Sequence, residues 1–150
     1  MNAVPDFEDL LTLLGKHGVR YLIVGGLAFI YHAKPRFTKD LDLWVAADDE
    51  NVARANLALS EFGSPALLDL GADDQVLQIG VAPNRIDVLR ALPGPDFGDA
   101  WERRISATYG GAPAEWVHIE DLLAIKESID VPRHREDARV LREVIRRSRG

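Results

Sequence analysis

The chain has 150 residues, of which 47% are hydrophobic, and this length and composition suit one domain with a buried core. The absence of cysteine excludes disulfide bonds and thiolate zinc sites, and it favours a reducing compartment. The acidic N-terminus lacks the apolar segment of a signal peptide, and the longest uncharged stretch, residues 21–33, is shorter than the ~20 residues of a membrane helix. We therefore expect a cytoplasmic protein without a membrane partner.

Charge is distributed unevenly along the sequence. The last 20 residues hold seven arginines and three acids; since the whole chain carries −6, the first 130 residues carry −10. Phosphate contacts supply most of the affinity in nucleic-acid binding, so the acidic body argues against broad binding of nucleic acid. The C-terminal arginines, among them Arg133 and Arg135, are either a local basic patch or a solvated helix end, where cations suit the helix dipole.

Helical and strand patterns alternate in the first half of the chain. The predicted elements are a helix over residues 5–16, a strand over 20–24, a short helix over 27–32, a strand over 39–45 and a helix from 48 to a cap at Gly63.

The second half begins with a predicted hairpin of strands 76–79 and 85–89, which turns near Pro83 and Asn84. After it we predict a helix over 97–105, a short strand over 116–119, and helices over 120–129 and 135–147. The fold class is therefore a mixture of α and β, with a mixed central sheet flanked by helices. We expect a single domain, residues 1–150, with a core of about 20–92 and a C-terminal helical part of about 97–147.

Three aspartates lie in predicted strands. Asp40 and Asp42 share one face of their strand, because alternate side chains point the same way. Asp87 lies between apolar residues of a later strand that would run beside the first. Carboxylates on rigid strands can hold divalent cations, although for an Asp-x-Asp triplet alone an exposed strand face is the better explanation.

The pair Gly25-Gly26 lies between a predicted strand and a predicted helix. Without side chains, it lets phosphate approach the backbone amides at a helix N-terminus, although such pairs also form simple tight turns. Arg36, Thr38 and Lys39 add cationic and hydroxyl groups just before the acidic strand. Three carboxylates beside a phosphate-binding turn are what two-metal nucleotidyl transfer requires, with the ions about 3.5–4 Å apart.

This pattern resembles the polymerase-β-like nucleotidyltransferase superfamily. The matching residues are Val24-Gly25-Gly26, the spacer 27–39, Asp40-Leu41-Asp42-Leu43 and Asp87. The resemblance implies the nucleotidyltransferase fold, an NTP as co-substrate, and two Mg²⁺ ions, with Mn²⁺ as the alternative. It also implies that the three aspartates bind metal and are catalytic, that Asp87 assists deprotonation of the acceptor hydroxyl, and that Gly25-Gly26 holds the triphosphate.

A narrower resemblance is to small bacterial nucleotidyltransferases related to abortive-infection and toxin–antitoxin systems. The matching segments are Arg36-x-Thr38-x-Asp40, residues 121–126 and residues 135–137. In that group a late lysine and a following aspartate belong to the active site, and Lys126 and Asp137 match them.

Helical periodicity places Lys126 and Asp137 on apolar faces, where a charge needs a partner or a ligand. Two interpretations follow. Either Lys126 contacts nucleotide phosphate and takes part in catalysis, with Asp137 orienting it, or the two form a buried ion pair that clamps two helices.

The sequence therefore predicts a Mg²⁺-dependent nucleotidyltransferase in which Arg36 and Thr38 also contribute to nucleotide binding. The resemblance favours a tRNA end or a partner protein as the acceptor, and a cognate toxin or antitoxin as a partner. The negative charge of residues 1–130 weakens the case for RNA. A small molecule such as an aminoglycoside is a third acceptor class. The alternatives are a non-catalytic antitoxin or protein-binding module with this fold, and a plain α/β binding domain.

Overall fold

The computed structural model describes residues 3–38, 40–71, 75–81 and 84–149. Within these residues the chain forms six helices and a sheet of six strands. In chain order they are α1 (Pro5–Lys16), β1 (Tyr21–Val24), α2 (Gly25–His32), β2 (Asp40–Val45), α3 (Asp49–Phe62), β3 (Val76–Ile79), β4 (Arg85–Leu89), α4 (Phe97–Glu102), β5 (Ile105–Tyr109), β6 (Ala112–Trp116), α5 (Ile119–Glu127) and α6 (Pro132–Arg149).

The sheet is mixed, as the sequence predicts, with the strand order β3-β4-β2-β1-β6-β5. The pairs β1–β2, β3–β4 and β5–β6 are antiparallel, whereas β1–β6 and β2–β4 are parallel. All four residues of β1 are buried, because this strand lies inside the sheet and is covered by helices. The predicted hairpin of β3 and β4 is confirmed.

The hydrophobic core extends from α1 to α6. In α1 the buried residues recur at helical spacing, at Phe7, Leu10, Leu11 and Leu14, and this helix packs on α3 and β6. Leu122 in α5 and Leu141 in α6 are fully buried in the same cluster, so the C-terminal helices are attached to the sheet through the core. The division of the chain into domains stays a prediction.

The predictions for residues 97–119 are wrong in two places. The helix that starts at Phe97 ends at Glu102, and residues 105–109 form a strand instead of continuing it. The next strand is Ala112–Trp116, whereas Ile119 begins a helix. Pro113 makes this strand hard to recognise from the sequence, because proline has no N–H to donate within a sheet. It is tolerated because, in the described residues, β6 is in register with β1 only at Trp116.

The last helix begins at Pro132, three residues earlier than predicted, since proline at the first turn loses no helical hydrogen bond. Lys39 and Pro83, which the sequence places near the site and in the hairpin turn, lie outside the described residues. Over the ranges that the structure covers, no helix combines the length and apolar character that crossing a bilayer demands.

Candidate active site

The two glycines at the start of α2 bring other parts of the chain into close contact. Gly25 has a φ of 68°, and a Cβ atom on it would lie 2.0 Å from Oδ2 of Asp42. A Cβ atom on Gly26 would lie 2.6 Å from Oγ1 of Thr38. The absence of side chains therefore lets Asp42 and Thr38 lie against the first turn of α2, beside the backbone amides that we expect phosphate to approach.

The three predicted aspartates lie on one face of the sheet. In the parallel pair β2–β4, Asp42 is in register with Asp87 and Asp40 with Arg85. In the antiparallel pair β1–β2, Asp42 is in register with Val24, the residue before the glycines. Because side chains alternate along a strand, Asp40, Asp42 and Asp87 face the same side. The buried Leu41 and Leu43 face the opposite side, in the core.

Arg85 is the cation that holds this acidic cluster together. Its Nε donates to Oδ1 of Asp87 at 3.0 Å, and its Nη2 donates to Oδ2 of Asp87 at 3.1 Å and to Oδ2 of Asp40 at 3.2 Å. Sequence reasoning missed this residue, although its position two residues before Asp87 places it on the same strand face.

The acidic cluster carries more negative charge than Arg85 neutralises. Burial raises the pKa of Asp42 to about 7, with further contributions from the charges of Asp87 and Asp40 and from a hydrogen bond with Asp87; Arg85 opposes the rise. The shift arises first from burial, and Arg85 does not offset the added effect of the neighbouring carboxylates. A divalent cation would relieve this excess.

The donor set fits such a cation in kind and in charge, since carboxylate oxygens are the ligands that Mg²⁺ prefers. As the side chains are arranged in the described part of the chain, no three histidine, cysteine, aspartate or glutamate residues form a ready metal-ligand group. Arg85 occupies both oxygens of Asp87 and one of Asp40. Metal binding therefore requires these carboxylates to be shared with, or released from, the guanidinium.

A cleft of about 350 Å³ lies beside the acids. Its lining consists of Gly25, Gly26, Arg36, Phe37, Thr38, Asp40, Asp42, Lys126, Arg133 and His134. Two of the predicted site residues, Asp87 and Asp137, do not line it and are buried next to residues that do. The cleft thus has carboxylates at one end and cations from α5, α6 and the segment before β2 at the other.

Asp137 lies between two of these cations. Its Oδ1 accepts a hydrogen bond from Nη1 of Arg36 at 2.7 Å, and its Oδ2 is 3.0 Å from Nζ of Lys126, at ion-pair distance but without the alignment of a hydrogen bond. The Lys126 and Asp137 side chains are each only 5% exposed. Both charges face inward, as periodicity predicts, and the pair joins α5 to α6.

The surroundings shift both pKa values in this pair. Burial favours neutral Asp137, but the contacts with Arg36 and Lys126 outweigh it and lower the pKa of the carboxyl group. Burial lowers the pKa of Lys126, and the neighbouring Asp137 partly restores it. The structure therefore contains the ion pair that a helix clamp requires and also places Lys126 on the cleft, where a phosphate contact requires it.

His134 and Arg133 also reach the cleft from the start of α6, and sequence reasoning assigned them no role in it. Nδ1 of His134 is 3.2 Å from Nζ of Lys126. The available signal was the spacing of three residues between His134 and Asp137, which puts both on one helix face. By contrast, His32 makes a structural contact, with Nε2 2.6 Å from the carbonyl oxygen of Val117.

No family model matches the chain, and the search of curated proteins gave no match. Solved structures do resemble it. The antibiotic-resistance factor ANT(2″)-Ia, in complex with adenylyl-2″-tobramycin, is 16% identical with a TM-score of 0.61 over 93% of this chain and 87% of that one. The lincosamide antibiotic adenylyltransferase LnuA, bound to lincomycin, is 15% identical with a TM-score of 0.61 over 95% of this chain and 99% of that one.

A candidate nucleotidyltransferase from Thermotoga maritima is also similar, at 15% identity with a TM-score of 0.58 over 94% of this chain and 91% of that one. At these identities the likeness establishes the fold. The chain has the fold of these nucleotidyltransferases, as the sequence resemblance implies.

Proposed function

We propose that this chain is a nucleotidyltransferase that transfers a nucleoside monophosphate from an NTP to a hydroxyl or phosphate acceptor and releases pyrophosphate. One observation carries the proposal: Asp42 is in register with Asp87, Asp40 faces the same side, and this acidic end opens on the same cleft as Lys126 and Arg36. Fold likeness alone would not distinguish an enzyme from a binding module, whereas this charge arrangement matches a metal-bound polyphosphate.

Two divalent cations would be held by Asp40, Asp42 and Asp87. We propose Mg²⁺ as the natural ion and Mn²⁺ as a substitute. When bound, the metal supplies neutralisation of phosphate charge and activation of the attacking oxygen. The chain orients the acids through Arg85, which contacts Asp87 and Asp40. We assign Asp87 the additional role of taking the proton of an acceptor hydroxyl.

The cationic end of the cleft would bind the phosphates of the NTP. Asp137 fixes Arg36 and Lys126 by contacts of 2.7 Å and 3.0 Å, so both cations are positioned before a ligand arrives. Thr38 adds a hydroxyl group beside Gly26, and the backbone amides of Gly25 and Gly26 begin a helix. Each group is a donor or a cation, as phosphate oxygens require.

The acceptor is proposed at the level of chemical class. Similar folds with adenylyl-2″-tobramycin and with lincomycin support a small-molecule acceptor. The sequence resemblance to toxin–antitoxin nucleotidyltransferases supports a tRNA or a partner protein, and the charge of −10 on residues 1–130 weighs against RNA.

A labelling experiment tests both the activity and the acceptor. The protein is incubated with each α-³²P-labelled NTP and Mg²⁺, in separate reactions with total tRNA, with cell-extract protein and with a mixture of aminoglycosides and lincosamides. We expect Asp42→Asn to abolish transfer and Asp130→Asn, whose side chain is 92% exposed, to retain it. Equal labelling by wild type and Asp42→Asn would contradict the proposed role of Asp42. A wild type that neither labels any acceptor nor binds an NTP would instead be a non-catalytic module.

A further inference from the structure

His134 lies in the first turn of α6, at the cationic end of the cleft. Its Nδ1 is 3.2 Å from Nζ of Lys126. Lys126 is paired with the Asp137 carboxylate, so it is an ammonium group, which has donors and no acceptor. Nδ1 of His134 must therefore accept this hydrogen bond, and the ring proton of the neutral imidazole is on Nε2.

The surroundings keep the ring neutral. Burial, together with the nearby charges of Lys126 and Arg133, lowers the pKa of His134. Nε2 has no hydrogen-bond partner among the residues that the structure describes, and the His134 side chain forms part of the cleft wall. The contact with Lys126 thus occupies Nδ1 and leaves the Nε2–H donor of a cleft-lining side chain for a ligand, beside the charged Lys126 and Arg133.

We infer that His134 binds a phosphate oxygen of the nucleotide through its Nε2–H group, while Lys126 fixes the ring from the other side. This inference rests on the proposed function, since it assigns a further ligand contact within the same cleft. Arg36 is already engaged by Asp137 and by the face of Phe29, 4.2 Å from its guanidinium carbon. A neutral donor adds a hydrogen bond to phosphate without adding repulsion among the neighbouring cations.

Two amide substitutions separate ligand binding from support of Lys126. In His134→Gln the side-chain amide reaches the position of Nε2 and keeps a donor there, whereas in His134→Asn it reaches only the position of Nδ1. Titration calorimetry without an acceptor measures how tightly each variant binds three kinds of ligand. These are each of the four NTPs in the presence of Mg²⁺, inorganic tripolyphosphate, and the nucleosides. Thermal unfolding of each variant checks that it is folded.

We expect His134→Asn to weaken NTP and tripolyphosphate binding about tenfold, the loss typical of a hydrogen bond to a charged group, and His134→Gln to stay within about threefold of wild type. Nucleoside affinity should not change in either variant. The opposite order, with Asn near wild type and Gln weakened, would show that His134 acts only through Lys126 and would overturn the inference. Equal affinities in all three proteins would overturn it too, while leaving the proposed function intact. A wild type that binds neither NTP nor tripolyphosphate would overturn both.

Discussion

Replacing Gly25 by alanine should displace Asp42 at a known cost in stability. The φ of Gly25 is 68°, a left-handed conformation that costs a residue with a side chain about 1–2 kcal/mol. The new Cβ would lie 2.0 Å from Oδ2 and 2.8 Å from Cγ of Asp42. Since non-bonded carbon and oxygen atoms need more than ~3 Å, the carboxylate must move by roughly 1 Å.

Gly18 provides a matched control for the backbone term. Its φ is 66°, and a Cβ atom there would have no neighbour within 4 Å. Gly18→Ala should therefore lower the free energy of unfolding by the same ~1–2 kcal/mol without moving any site residue. The difference between the two variants isolates the displacement of Asp42.

Urea unfolding measures the stability term, and two assays measure the site: the rate of label transfer and the Mg²⁺-induced shift of the melting temperature. A displacement of about 1 Å in a catalytic group costs up to ~100-fold in rate, so we expect Gly25→Ala to lose transfer activity to that extent and most of the Mg²⁺ shift. Gly18→Ala should stay within about twofold of wild type. The reasoning is refuted if both variants show the same activity and the same response to Mg²⁺.

Three further predictions follow from the buried charges. In metal-free protein, the contribution of Asp42 to the free energy of unfolding should fall as pH rises from about 3.8 to about 7, because folded Asp42 keeps a proton that the unfolded chain releases. Subtracting the Asp42→Asn profile in urea titrations should isolate this slope. Because the proton and the cation compete for Asp42, Mg²⁺ should raise the melting temperature more at pH 8 than at pH 6, and the reverse order would argue against Asp42 as a ligand. Asp137→Ala should lower the free energy of unfolding by about 3–5 kcal/mol, since it leaves buried Lys126 without its carboxylate. The control Asp130→Ala, at an exposed residue, should change it by less than ~0.5 kcal/mol. A change as small as this in Asp137→Ala would show that the pair is not stabilising.

Local patterns were sufficient to predict the acidic half of the site. Alternation along a strand determines that Asp40 and Asp42 share a face, and the apolar residues around Asp87 determine that it lies in a strand. The register that pairs Asp42 with Asp87 joins residues 45 positions apart and depends on the packing of the whole sheet. The strand pattern also places Arg85 on the face of Asp87. Its contact with Asp40 cannot be predicted before the pairing of β4 with β2 is known.

The cationic half shows the limit of periodicity. Helical spacing predicts that Lys126 and Asp137 face inward, and they do. It cannot show that Asp137 also binds Arg36, 101 residues earlier in the chain, because that contact depends on how α6 docks beside the segment before β2. The hairpin of β5 and β6 was missed for another reason: Pro113 breaks the strand pattern locally, and the fold tolerates it where β6 has no register with β1.

The two interpretations of Lys126 and Asp137 are compatible in this fold. One carboxylate contacts Lys126 from α5 and Arg36 from the segment before β2, so the ion pair that attaches α6 also orients both cations that line the cleft. The position of α6 and the positions of these two cations therefore depend on the same carboxylate, and a ligand phosphate bound to the cations would stabilise this arrangement. A helix clamp at this place can also serve the proposed nucleotide site, because Arg36 and Lys126 both line the cleft.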